Sequence, residues 1–145
     1  MMLCRHERAG FTFIELVVVI LIIGILAVTI GPGLLEWVGK AKDKKALVEL
    51  KTIKQALQIY SVDIGSYPNK LLDLVQKPTS GEGAAKWRRS YLDADSVKIV
   101  EGSIVDPWSN PYHYRVTRGA KHPFELYSDG DSGSDNPVKI DAWEK

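Results

Sequence analysis

The chain has 145 residues, 45% hydrophobic, 26% charged and 9% aromatic, the proportions of one small folded domain rather than of a disordered or collagen-like chain. A net charge of +1 leaves no surplus of Lys and Arg to neutralise phosphates, which excludes nucleic acid as a partner. Cys4 is the only cysteine, excluding an internal disulfide or a cysteine-based zinc site, and His6, His113 and His122 are too dispersed for a histidine-rich metal site.

Residues 1–10 are short and charged, with Arg5, Glu7 and Arg8. From Leu16 to Leu35 there are then twenty residues without Asp, Glu, Lys, Arg or His. As a helix that run rises about 30 Å, the thickness of a bilayer core. A cleaved secretory signal fits less well, because Gly31-Pro32-Gly33-Leu34-Leu35 leads straight into a helical pattern with no Ala-x-Ala site. Lipid attachment at Cys4 lacks a preceding apolar region. By charge count alone, Lys40, Lys42, Lys44 and Lys45 outweigh Arg5 and Arg8 and would place residues 36–145 in the cytoplasm.

The segment Arg8-Ala9-Gly10-Phe11-Thr12-Phe13-Ile14-Glu15, followed by the apolar run, resembles the processing site of type IV prepilins and type II secretion pseudopilins. That resemblance implies that residues 1–10, Cys4 among them, are a leader that a prepilin peptidase removes after Gly10 on the cytoplasmic side. It also implies that Phe11 is then N-methylated. Residues 11–35 become the transmembrane and filament-core half of a long helix, and residues 36–145 a periplasmic head, opposite to the charge count. A carboxylate such as Glu15 costs about 2.5–3.5 kcal/mol at mid-bilayer, and less near the interface. Either it flanks the span at the headgroups, or it offsets the Phe11 amine of a neighbouring or its own chain and sets filament register.

Leu34, Val38, Ala41, Ala46, Leu50, Ile53, Leu57 and Tyr60 recur at three-and-four spacing and predict one helix from about Phe11 to about Val62. Gly31-Pro32-Gly33 predicts a kink or locally melted turn within it, and Pro32 in mid-helix is also a feature of such pilins. The lysines between Lys40 and Lys45 are either a solvated face or a contact with anionic headgroups and, after assembly, with a neighbour's acidic residues. Gly65-Ser66-Tyr67-Pro68-Asn69 ends the helix, Leu71–Val75 reads as a short second helix, and Pro78–Ala85 as a loop. Between Trp87 and Val105 the pattern is mixed, with Tyr91-Leu92 and Val97–Val100 as short strands or irregular packing. Tyr112–Val116 and Phe124–Ser128 read as antiparallel strands joined by a loop containing Gly119. The fold class is α+β, a long N-terminal helix packed on a small antiparallel sheet. By resemblance it is pilin-like.

Asp106-Pro107-Trp108-Ser109-Asn110-Pro111-Tyr112 reads as a structural corner, two prolines fixing the backbone and Trp108 offering an apolar anchor. It resembles the Asp-Pro-Trp-Gly-Asn-x-Tyr segment of major pseudopilins, with Ser109 where glycine is usual, and Ser66-Tyr67-Pro68 resembles that family's Arg-Tyr-Pro. Residues 126–136 then combine carboxylates, hydroxyls and glycines, the hard oxygen donors that calcium takes six to eight at a time. The loop is not an EF-hand, since Ile140 stands at the twelfth position from Asp129, and a merely polar turn is the plain alternative. The family carries a calcium site in this loop. Transferred onto this chain, the resemblance implies the Leu126 carbonyl, Ser128, Asp131 and Asp135 as ligands, with Asp129 and Asn136 as secondary candidates in a loop shorter than usual. Ile140-Asp141-Ala142-Trp143 resembles the family's Ile-x-x-Trp ending, so Trp143 is expected to pack back on the sheet.

The resemblance implies a structural subunit, not an enzyme, that polymerises into the periplasmic pseudopilus of a type II secretion system and drives export of folded proteins across the outer membrane. Its implied partners are copies of itself, the prepilin peptidase, minor pseudopilins, the inner-membrane assembly platform, the outer-membrane secretin channel and, before assembly, membrane lipids. A type IV pilin is the nearest alternative, although many of those close a C-terminal loop with a disulfide and this chain has no cysteine after Gly10. A calcium-dependent binding module on a membrane stalk would leave Glu15 unexplained. A hydrolase using Ser128, His113 and Asp106 lacks the strained nucleophile turn that such a triad needs.

Overall fold

The structure is a computed structural model that describes residues 10–117, 119–134 and 136–144, leaving the side chains of residues 29–32, 35 and 82 outside that description. The expected leader therefore lies outside it except for Gly10. The chain divides into two compact units, Met1–Gly39 and Lys40–Lys145.

Helix α1 spans Phe13–Ile64, close to the limits that the apolar spacing predicts. Its backbone stays helical through residues 31–33, so the locally melted turn expected there is not formed. One proline removes a single backbone donor, and the hydrogen-bonded turns on either side carry that loss. In the first unit α1 exposes apolar side chains from Ile14 to Leu34. Among the described residues no helix is long and apolar enough to cross a membrane. The uncharged run also takes in residues 29–32 and 35, whose side chains are outside that description.

In the second unit α1 buries Ala46, Leu50, Ile53, Leu57, Tyr60 and Ile64, successive members of one helical stripe, while Leu34, Val38 and Ala41 before them are exposed. Leu71–Leu74 forms a 3-10 turn rather than an α-helix. A six-residue helix α2 (Gly81–Lys86) stands where the glycines suggest only a loop. The mixed region resolves into a hairpin of β1 (Lys98–Val100) and β2 (Ser103–Val105), paired antiparallel with Val100 opposite Ser103. Its two-residue turn, Glu101-Gly102, has φ of 49° and 75°, the left-handed pair that matches the twist of the flanking strands.

A second sheet has the order β3-β4-β5, from β3 (His113–Val116), β4 (Phe124–Ser128) and β5 (Ile140–Asp141), all antiparallel. Strand alternation turns Phe124, Leu126 and Ser128 inward. Phe124 is fully buried, with Tyr67 edge-on at 5.2 Å and Trp143 tilted at 5.2 Å. Trp143 packs back as expected. Its indole N–H donates to the Phe124 carbonyl at 3.1 Å, His122 stacks on it at 4.0 Å, and the Lys54 ammonium lies 4.2 Å from its ring centre.

Ser109 sits in the corner with φ of 73°, a left-handed conformation that costs a non-glycine residue about 1–2 kcal/mol. Its hydroxyl takes a 2.9 Å hydrogen bond from Lys98, an exposed contact too weak to offset that cost. Ser109→Gly is expected to stabilise the fold by about 0.5–1 kcal/mol after the larger unfolded-state entropy of glycine is subtracted. Thermal unfolding should show a small rise in Tm, and a fall would remove the strain account.

Candidate functional site

At the start of α1, Gly10 and Phe11 are exposed, Phe11 to 85%. Thr12 and Glu15 form a reciprocal pair. The Glu15 amide donates to the Thr12 hydroxyl at 3.3 Å, and the Thr12 amide to a Glu15 carboxylate oxygen at 3.5 Å. Such a capping box satisfies two amides that a helix N-terminus leaves unpaired, and the carboxylate is also favoured there by the helix dipole. Glu15 thus has a local role within the chain that its place beside an apolar span does not reveal. Pro32 lies in the helical backbone, and its side chain is outside the described residues.

At the other end of the chain the oxygen-rich loop leaves β4. The Leu126 carbonyl already accepts the Ala142 amide at 3.0 Å. The Ser128 side chain is fully buried. Its hydroxyl donates to Asp106 Oδ2 at 2.5 Å and accepts the Gly130 amide at 3.0 Å. Asp129 pairs with His113 Nε2 at 2.6 Å, and Asp131 Oδ1 accepts the Gly133 amide at 3.1 Å. The Asn136 amide donates to the Ser134 hydroxyl at 3.3 Å. Asp135 lies outside the described residues.

The corner residues 106–112 hold this loop from beneath. The Asn110 side-chain amide donates to the Gly130 carbonyl at 3.2 Å and to the Ser132 hydroxyl at 3.3 Å. Next along the chain, the Tyr112 hydroxyl donates to the buried Glu49 carboxylate at 2.7 Å, and Lys45 lies 3.7 Å from the same carboxylate. Burial first, and then the Glu49 carboxylate, push the Tyr112 phenol well above its ordinary value. Loop, corner and α1 within the second unit are therefore joined by hydrogen bonds.

In donor chemistry the loop suits a hard cation, since the expected ligands all offer oxygen, and each carbonyl or hydroxyl already in a hydrogen bond keeps a lone pair. Among the described residues no three His, Cys, Asp or Glu side chains converge, so a cation would draw on carbonyl and hydroxyl oxygens beside the aspartates. The nucleophilic triad is not assembled. Ser128 and Asp106 meet, but the Ser128 proton points to Asp106 and His113 is bonded to Asp129.

The family described as Type II secretion system (T2SS), protein G matches residues 33–143, and the Prokaryotic N-terminal methylation motif matches residues 5–31. The chain is 38% identical to the Type II secretion system core protein G of Pseudomonas aeruginosa, over 97% of this chain and 98% of that one. The chain belongs to the type II secretion system protein G family. It is also 34% identical to the core protein G of Vibrio cholerae, over 95% of this chain and 93% of that one. Its fold is similar to the crystal structure of the major pseudopilin from the type 2 secretion system of enterohaemorrhagic Escherichia coli. That likeness has a TM-score of 0.54 and 25% identity, covering 72% of this chain and 85% of that one.

Proposed function

We propose that the chain is the subunit of a type II secretion pseudopilus, a membrane-anchored periplasmic protein that polymerises with copies of itself and serves export of folded proteins across the outer membrane. The observation that carries this reading is the near-contiguous match of a methylation motif over residues 5–31 and of the protein G family over residues 33–143. The prepilin peptidase would cut between Gly10 and Phe11 and leave a methylated Phe11. Glu15 would then face a new positive charge, the Phe11 amine, in its own or a neighbouring chain. The exposed apolar side chains of α1, from Ile14 to Leu34, support first a lipid environment and then burial among copies. Minor pseudopilins, the inner-membrane assembly platform and the outer-membrane secretin are the remaining partners of this reading. Calcium is the ion proposed for the loop, through Leu126, Ser128, Asp131 and Asp135, with Asp129 and Asn136 nearby.

The test is expression of the full chain in a secreting bacterium lacking its own major subunit. Intact mass should show a chain beginning at Phe11 with one added methyl group, and cross-linking should give a ladder of multimers. Glu15→Ala should be processed normally while the ladder falls at least about tenfold, as expected for loss of a register-setting charge pair. An unprocessed wild-type chain would defeat the reading, as would a Glu15→Ala chain that assembles normally.

A further inference from the structure

We propose that Asp106 is the positioning residue of the loop, holding the proton of the Ser128 hydroxyl so that one oxygen lone pair is left for a cation. This rests on the calcium reading above. Asp106 is 1% exposed and accepts on both carboxylate oxygens. Oδ1 takes the amides of Trp108 at 3.0 Å and Asn110 at 2.9 Å, and Oδ2 takes the Ser128 hydroxyl at 2.5 Å. The turn around it is closed by its own backbone, its amide donating to the Asn110 carbonyl at 2.8 Å and its carbonyl accepting the Ser109 amide at 2.9 Å.

A serine hydroxyl has one proton and two lone pairs. A cation ligand must turn the proton away, and Asp106 is what the proton turns toward. One lone pair then accepts the Gly130 amide, which sets the entry of the loop, and the other remains. The same carboxylate fixes the Asn110 backbone, whose side chain grips the Gly130 carbonyl and Ser132. Asp106 thus orients the loop from two sides without reaching it as a ligand. Among the described residues it forms no ion pair, so its negative charge also favours a cation in the neighbouring loop.

Asp106→Asn separates this role from plain structural support. The variant keeps the shape and can still accept the two amides, but its NH2 group faces Ser128 as a donor and the serine proton must turn elsewhere. The experiment follows Tm of the full chain in mild detergent as free calcium rises from an EDTA-chelated baseline, beside magnesium. The calcium midpoint of Asp106→Asn should be weaker by about 10- to 100-fold, as for outer partners of metal ligands elsewhere. Ile53→Val, a destabilised control fully buried in the core, should lower Tm with and without calcium equally and keep the wild-type midpoint.

A wild-type midpoint in Asp106→Asn, with Tm lowered equally in both conditions, would overturn the proposal while leaving the calcium reading intact. A wild-type chain that gives no calcium-selective shift would overturn both. If Asp106→Asn does not fold, Ser128→Ala carries the test. Removing the hydroxyl that Asp106 holds should weaken the midpoint by the same factor, and an unchanged midpoint would refute the proposal.

Discussion

Gly130→Ala is expected to destabilise the folded chain by about 3 kcal/mol, from left-handed strain and a backbone collision together. Gly130 has φ of 72°, and a Cβ there would stand 2.4 Å from the Val138 carbonyl oxygen and 3.3 Å from its carbon. Those are main-chain atoms leading into β5, so they cannot rotate away as the tip of a long side chain can. Relief would require the loop to lift, breaking the Gly130 amide bond to Ser128 and the Asn110 bond to the Gly130 carbonyl. For a domain of this size the fall in Tm should be on the order of 10–20 °C. Gly133→Ala is the matched control. Its nearest neighbour would be an Asp131 carboxylate oxygen at 3.4 Å and its φ is not left-handed, so its Tm should move by only a degree or two, on the scale of about 0.3 kcal/mol. Equal melting of the two variants would remove the close-approach account of Gly130.

The same loop shows where the fold was legible in the sequence and where it was not. Long periodic elements could be read. The α1 stripe from Ala46 to Ile64 repeats over several turns, and β4 alternates clearly enough that Phe124, Leu126 and Ser128 all point inward. Short elements could not. β5 has two residues and each strand of the β1–β2 hairpin three, too few for a period to emerge, and α2 is a helix despite glycines at 81 and 83. There the tertiary surroundings outweigh local propensity. Asp106 is the clearest miss. In sequence it is a turn former before proline, twenty-two positions from Ser128, and nothing local shows that its carboxylate is buried beneath a loop. The unusual residue near it was visible, since Ser109 stands where the segment that this corner resembles has glycine, and the structure gives Ser109 a positive φ. In sequence Glu15 stands out for its charge beside an apolar run, whereas its pairing with Thr12 follows from the three-residue spacing of a capping box.

Raising the pH is expected to leave stability unchanged up to about pH 10 and then erode it steeply, because Tyr112 is held neutral in the folded chain. Burial is the larger cause and the hydrogen bond to Glu49 the next. Tyr114 is raised in the same direction, again mainly by burial, with its hydroxyl donating to the Pro68 carbonyl at 2.9 Å. Above the ordinary phenol value the unfolded chain has lost the tyrosine proton while the folded chain retains it, so unfolding gains with every further pH unit. Tyr112 alone accounts for about 2.7 kcal/mol of lost stability by pH 12, two units past its unfolded value at about 1.36 kcal/mol each. The Tyr112 share of the tyrosinate absorbance near 295 nm, read as the difference between the wild-type chain and Tyr112→Phe, should then rise with the loss of helical circular dichroism rather than ahead of it. The substitution Tyr112→Phe gives the discriminating comparison. At pH 7 it should cost about 1–3 kcal/mol, because Glu49 stays buried without its donor. By pH 12 the wild-type chain has lost what Tyr112 contributed and the variant has no such phenol to ionise, so the gap between them should narrow or reverse. A gap that stays constant from pH 9 to pH 12 would mean that Tyr112 ionises in place, and that the bond from the corner to α1 does not depend on its proton.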